Sequence, residues 1–131
     1  MIVVDTHIIL WHSLSPNKLS NKAKRAINDA NNKDGIIMSE ISLWEIAMLI
    51  KKNRIRIDAS YLEFINLIKV ANNIILKGIS PEIAELSTNF DSTINADPAD
   101  RIICATAIIN NATLITRDDN LLKSKIVKTL W

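Results

Sequence analysis

The apolar positions of this chain fall into short runs separated by longer stretches of helical spacing. Ile2-Val3-Val4, Ile36-Ile37-Met38, Ile75 to Ile79, Thr113 to Thr116 and a final stretch near 126–130 are too short for helices. They are rich in β-branched residues and read as strands, the inner ones buried on both faces. Between them, a short helical turn is expected over 7–13, stopped by Ser15-Pro16. A helix from Ser20 to about Asn31 carries Ala23, Ala26, Ile27 and Ala30 on one stripe. Further helices are expected from Ile41 to Ile50, from Ser60 to about Asn72, from Ser80 towards the polar loop 88–96, from Asp97 through Ile109, and briefly at 119–123. The punctuation agrees. Ser60-Tyr61-Leu62-Glu63 is a capping box, Ser80-Pro81 places a cap before a first-turn proline, and Asn53 suits the left-handed position beyond a helix end. Strands alternating with helices predict a three-layer α/β/α sandwich around a central parallel sheet of about five strands, with 1–131 forming one domain.

The helix from Ile41 to Ile50 breaks the amphipathic pattern. It is apolar almost all round, which predicts burial on every side, and Glu45 is its only charge. A buried carboxylate must meet a cation, a donor or a metal. Lys51 and Lys52 lie more than a turn beyond salt-bridge reach. They suit the helix C-terminus electrostatically, and with Arg54 and Arg56 they also offer contacts for phosphates. Lys22, Lys24 and Arg25 read more simply as a solvated face.

Composition removes several chemistries. The formal net charge of +2 declares no polyanion-binding surface, and it is equally what basic rim residues around an acidic centre would leave. One cysteine, Cys104, excludes an internal disulfide and a cysteine-rich zinc site, and belongs most simply to the core. Two glycines leave no phosphate-binding glycine loop. His7 and His12 are five apart, which is not helical ligand spacing. The chain opens on a strand rather than a leader, and no apolar run is long enough to cross a bilayer. A cytoplasmic protein is expected.

The acids then stand out. Asp5 and Asp118 follow strands, Glu45 falls in the second turn of the helix after the second strand, and Asp100 falls in the first turn of its helix. If the first strand is central, all four converge at the C-terminal edge of the sheet, where open α/β folds bind ligands. Four carboxylates within roughly 4–6 Å repel by about 3–4 kcal/mol per pair at an effective dielectric near 20. A hard divalent cation relieves this, and Mg²⁺ or Mn²⁺ with its waters suits hydrolysis of a phosphodiester. Each acid also has a duller reading alone. Asp100 complements a helix dipole with Asp97 as cap, Asp118 caps the following helix, and Asp5 is a turn residue.

Four segments in order carry a resemblance: Val4-Asp5-Thr6-His7 with Trp11, Ser39 to Ala47 around Trp44-Glu45, Asp97-Pro98-Ala99-Asp100-Arg101 with Ala105-Thr106-Ala107, and Leu114-Ile115-Thr116-Arg117-Asp118. The chain resembles the PIN-domain family over its whole length, specifically VapC-type toxins of bacterial toxin–antitoxin pairs. The resemblance implies a Mg²⁺- or Mn²⁺-dependent endoribonuclease, with an RNA substrate, a cognate antitoxin and a homodimeric state. It places the family's acids at Asp5, Glu45, Asp100 and Asp118, with Asp97 as an outer helper and Thr6 and Thr116 as orienting hydroxyls. Asn53 stands where a glycine is usual, and Asn95-Ala96 where a histidine is common. A receiver-like phosphoacceptor domain and a PIN-fold module that only binds RNA are the alternatives. A receiver needs an acidic pair after strand one and an aspartate after strand three, and here Thr6 and Gly78-Ile79-Ser80 stand there.

Overall fold

Val3 and Val4 set the architecture. Successive strand residues point to opposite faces, and both valines are fully buried, so the sheet they belong to needs an apolar layer on each side. The computed structural model describes residues 1–131 and supplies both layers. The strands are β1 (Ile2–Val4), β2 (Ile36–Ser39), β3 (Ile74–Lys77), β4 (Thr113–Ile115) and β5 (Thr129–Leu130). They form one parallel sheet in the order β3-β2-β1-β4-β5, with β1 at its centre.

On the Val4 face, Ile36, Met38 and Ile115 join a core with α1 (Thr6–Leu14), α2 (Asn21–Asn31), α3 (Glu40–Lys51) and α4 (Tyr61–Ala71), which contribute Ile8, Ile9, Ile27, Ile46, Phe64 and Ile68. On the Val3 face, Ile37 and Leu114 meet Ile103, Cys104 and Ala107 of α6 (Pro98–Ile109) and Leu121 of α7 (Asp119–Lys123). The helix α5 (Pro81–Thr88) packs on α6. Seven helices around one all-parallel sheet make the expected sandwich.

Local signals placed the helix starts. Ser20, Ser39, Ser60, Ser80, Asp97 and Asp118 each accept a backbone N–H of the first turn through the side chain. Asn53 takes the left-handed conformation, φ 56°, beyond α3. Some strand limits differ from expectation. β3 stops at Lys77 rather than Ile79, because its partner Ser39 is the last residue of β2 before α3 begins. β5 keeps only Thr129 and Leu130 of 126–130, since β4 offers it only Leu114 and Ile115.

The burial of α3 is a correction. Only Ser42, Glu45 and Ile46 are buried, Trp44 is 59% exposed, and Ile41 and Met48 are half-buried. One stripe faces the sheet and its neighbours, the flanking residues are half-buried, and Trp44 lies open to solvent. Apolar composition described the residues of α3, not their surroundings.

Candidate carboxylate site

Because every strand runs the same way, the segments leaving β1, β2 and β4 all emerge at one edge. Asp5 leaves β1 and opens α1, Glu45 lies on α3 after β2, and Asp118 follows β4 and opens α7. Asp100 comes from the first turn of α6. There Asp5, Glu45, Asp97, Asp100 and Asp118 line one cavity of about 280 Å³, together with His7, Trp11 and Arg117. All of the acids singled out in the sequence are thus brought to one place.

The hydroxyls hold them. Thr116 Oγ1 donates to Asp5 Oδ2 at 2.9 Å and accepts the Asp118 backbone N–H at 3.1 Å, which ties two acids through one buried side chain. Thr6 Oγ1 donates to Glu45 Oε1 at 2.5 Å and lies 2.8 Å from Ser42 Oγ. Having given its only proton to Glu45, Thr6 must accept from Ser42. Buried Glu45 is therefore held by a donor rather than by an arginine. The one ion pair in the protein joins Arg117 to Asp119, at 3.0 Å on the surface.

Two caps also line the cavity. Asp118 Oδ1 accepts Leu121 N at 3.0 Å while its Oδ2 faces the cavity side. Asp97 Oδ1 accepts Ala99 N at 2.8 Å, leaving Asp97 exposed at the cavity wall. Capping a helix does not take either residue out of the cavity lining.

Asn95, in the segment where the family commonly has a histidine, completes the arrangement, so that departure does touch the acidic set. Asn95 Nδ2 donates to Asp118 Oδ2 at 2.8 Å and to Asp100 Oδ2 at 3.1 Å. Asn120 Nδ2 donates to Asn95 Oδ1 at 2.7 Å, which turns the amino group towards the acids. Arg101 fixes the loop carrying it, donating to the carbonyls of Asn95 at 2.7 Å, Phe90 at 3.0 Å, Asp91 at 3.1 Å and Ile94 at 3.3 Å. That arginine holds backbone and neutralises none of the acids. Ser42 was the findable omission, since a serine three residues before Glu45 shares its helix face.

Crowding and burial shift the acids one way. Asp100 is pushed up to about 7, first by burial, then by the charge of Asp5, against the pull of the Asn95 hydrogen bond; Asp97 and Glu45 push it further. Burial likewise raises Asp5, opposed chiefly by the Thr116 hydrogen bond, and Glu45, opposed chiefly by Thr6. The Cys104 thiol, raised to about 11 by burial and then by Asp100, stays protonated in the core.

The model of the PIN domain family matches residues 2–126. The chain belongs to the PIN-domain family. It is 33% identical to Ribonuclease VapC22 of Mycobacterium tuberculosis over 120 residues, 92% of this chain and 88% of that protein. Its fold is shared with a toxin–antitoxin complex chain from Klebsiella pneumoniae, at TM-score 0.68 and 20% identity over 100% of this chain and 97% of that one. A chain of VapBC2 from Rickettsia felis bound to a promoter DNA fragment gives TM-score 0.70 at 18% identity, covering 99% and 98%.

The donors of this PIN domain fit a hard divalent cation. They are all carboxylate oxygens, and burial with mutual repulsion raises Asp5, Glu45 and Asp100. They do not close as a set of three around a single point. A cation that keeps several of its waters needs only one or two carboxylates directly.

Proposed function

We propose that this PIN domain is an endoribonuclease toxin of a toxin–antitoxin pair, with Asp5, Glu45, Asp100 and Asp118 as its catalytic and metal-holding residues. The observation that carries the reading is the convergence of these four carboxylates on one cavity at the C-terminal edge of the sheet. Family membership and the ribonuclease name of the 33% identical relative support the same reaction class. Mg²⁺ or Mn²⁺ bound there would supply a Lewis acid for the phosphoryl oxygens and a more acidic water. The chain's own part is to orient the acids through Thr6 and Thr116 and to space Asp100 and Asp118 through Asn95. Without the ion, burial and the neighbouring acids push the Asp100 carboxyl up to about 7, so binding the ion would release protons near neutrality. Asp97 assists from the cavity wall.

The partners in this reading are an RNA substrate, an antitoxin and a second copy of the chain, all in the cytoplasm. The toxin–antitoxin complexes that share the fold support the antitoxin, and an antitoxin arginine or lysine reaching the acids would place charge against charge. Trp44 on α3 and Leu62, Leu67 and Val70 on α4, all exposed, offer apolar surface for a second copy. No helix of the structure is long and apolar enough to cross a membrane.

The test is incubation of purified protein with single-stranded RNA, with Mn²⁺ or with chelator. Metal-dependent fragments that vanish in Asp5→Asn are expected. Intact RNA under all metal conditions would overturn the reading, and so would phosphorylation of an aspartate by a phosphodonor without any cleavage.

A further inference from the structure

An acid-lined cavity repels the phosphates it must admit, so something at its mouth has to offset that field. The structure has such a group on one side. Lys18 Nζ lies 5.9 Å from the centre of the Trp11 ring, and Arg117 Cζ lies 5.8 Å from that of Trp131. The two rings meet edge to face at 5.9 Å, and His7 lies 6.3 Å from Trp11. His7, Trp11 and Arg117 also line the acid cavity. Residues from α1, the turn after it, the segment after β4 and the segment after β5 therefore make one aromatic and cationic rim.

Resting on the core flank explains why Trp11 and Trp131 are partly buried, but not why a cation sits over each. The pair of Arg117 with Asp119 does not explain it either, because those side chains are 52% and 76% exposed and an ion pair so exposed contributes little. Seating a long cationic side chain on a ring restricts it before any ligand arrives, which lowers the entropy cost of binding one. The cavity, at about 280 Å³, is smaller than the usual pocket for a drug-sized ligand. A duplex cannot bend into it, whereas one strand can dip a phosphate inside and stack an unpaired base on an aromatic ring.

We infer that the rim of His7, Trp11, Lys18, Arg117 and Trp131 is a binding surface for single-stranded RNA flanking the scissile phosphate. Lys18 and Arg117 hold the flanking phosphates, and Trp11 with His7 offers the face for an adjoining base. This rests on the ribonuclease reading, and its failure is separable because binding is measured without cleavage.

The probe is a short fluorescein-labelled RNA without self-complementarity, titrated by anisotropy in chelator over a salt series. Lys18→Ala and Arg117→Ala alter exposed side chains, so both variants should fold. Each should weaken binding severalfold and reduce the salt slope by about 0.7, the value of one single-strand phosphate contact. Lys69→Ala, the same charge change on α4, should do neither. In a Trp44→Phe background, RNA should quench the remaining tryptophan emission, while base-free tripolyphosphate should not. Equal affinity and slope for wild type and both cation variants, with wild type still cleaving RNA, would overturn the rim alone. Loss of antitoxin binding in those variants with RNA binding intact would overturn it too, and make the rim a protein interface. A wild type that neither binds nor cleaves RNA removes the ribonuclease reading beneath it.

Discussion

Thr6 and Glu45, thirty-nine residues apart, are joined by a buried hydrogen bond of 2.5 Å in which the hydroxyl donates to the carboxylate. Ser42 feeds its own proton to Thr6 in turn. Removing Thr6 leaves a buried carboxylate without this donor and a buried hydroxyl without this acceptor. Thr6→Val should therefore cost about 1–3 kcal/mol near neutral pH, the range for unsatisfied buried polar groups. Thr6→Ser should restore most of it. Urea denaturation of both variants checks this, and equal midpoints for Thr6→Val and wild type would contradict it.

Asp100 links stability to pH. Its carboxyl rises from 3.8 to about 7 on folding, so the folded chain keeps a proton that the unfolded chain releases. The resulting stability is fully present below about pH 4 and is lost as pH rises through about 7. Asp5 and Glu45, also raised, act in the same sense. Melting in chelator should fall across that window. Mn²⁺ should oppose the fall, since an ion held by the folded state displaces protons and stabilises it. Glu45→Gln should respond less to Mn²⁺. A melting temperature indifferent to both pH and Mn²⁺ would show these acids to be structural.

Asp5→Asn separates chemistry from folding. The amide oxygen can still accept from Thr116, and one charge leaves a crowded site. RNA cleavage should drop at least about a hundredfold, the scale of losing an electrostatic or acid–base group. The melting temperature without metal should hold or rise. Wild-type cleavage by the purified variant would remove Asp5 from the site.

Asn95→Asp tests the bridge between Asp100 and Asp118. It replaces a donor to two carboxylates with a third negative charge in the same position. Repulsion then grows, so metal-free melting should fall by several degrees while the rise on adding Mn²⁺ becomes larger. Asn120→Ala should have a weaker effect, because it frees the amide to turn without adding charge. Calorimetry with and without Mn²⁺ resolves the order, and a variant as stable as wild type in chelator would leave Asn95 outside the site.

Strand and helix order was legible in the sequence, because short-range chemistry settles it. Caps such as Ser20 and Asp97 act on the next two or three residues, the left-handed residue after α3 is an asparagine with little penalty there, and β-branched runs are stiff wherever they occur. The acids were legible for a related reason. Parallel strands send their C-terminal ends to one edge, so a carboxylate placed after each inner strand or in the following helix needs no further information to converge.

Partners across the fold were not legible. The sequence alone determined the two-sided core, the helix starts and the edge at which the acids gather, all consequences of periodicity and local hydrogen bonding. Tertiary structure decided that Thr6 rather than an arginine holds Glu45, that Asn95 stands between Asp100 and Asp118, and that Trp131 meets Trp11. It also decided that Trp44 of the apolar α3 lies open to solvent. These depend on which distant segments the order β3-β2-β1-β4-β5 brings together and which faces it leaves uncovered. Side-chain chemistry shows that a buried glutamate needs a donor; only packing chooses which donor arrives.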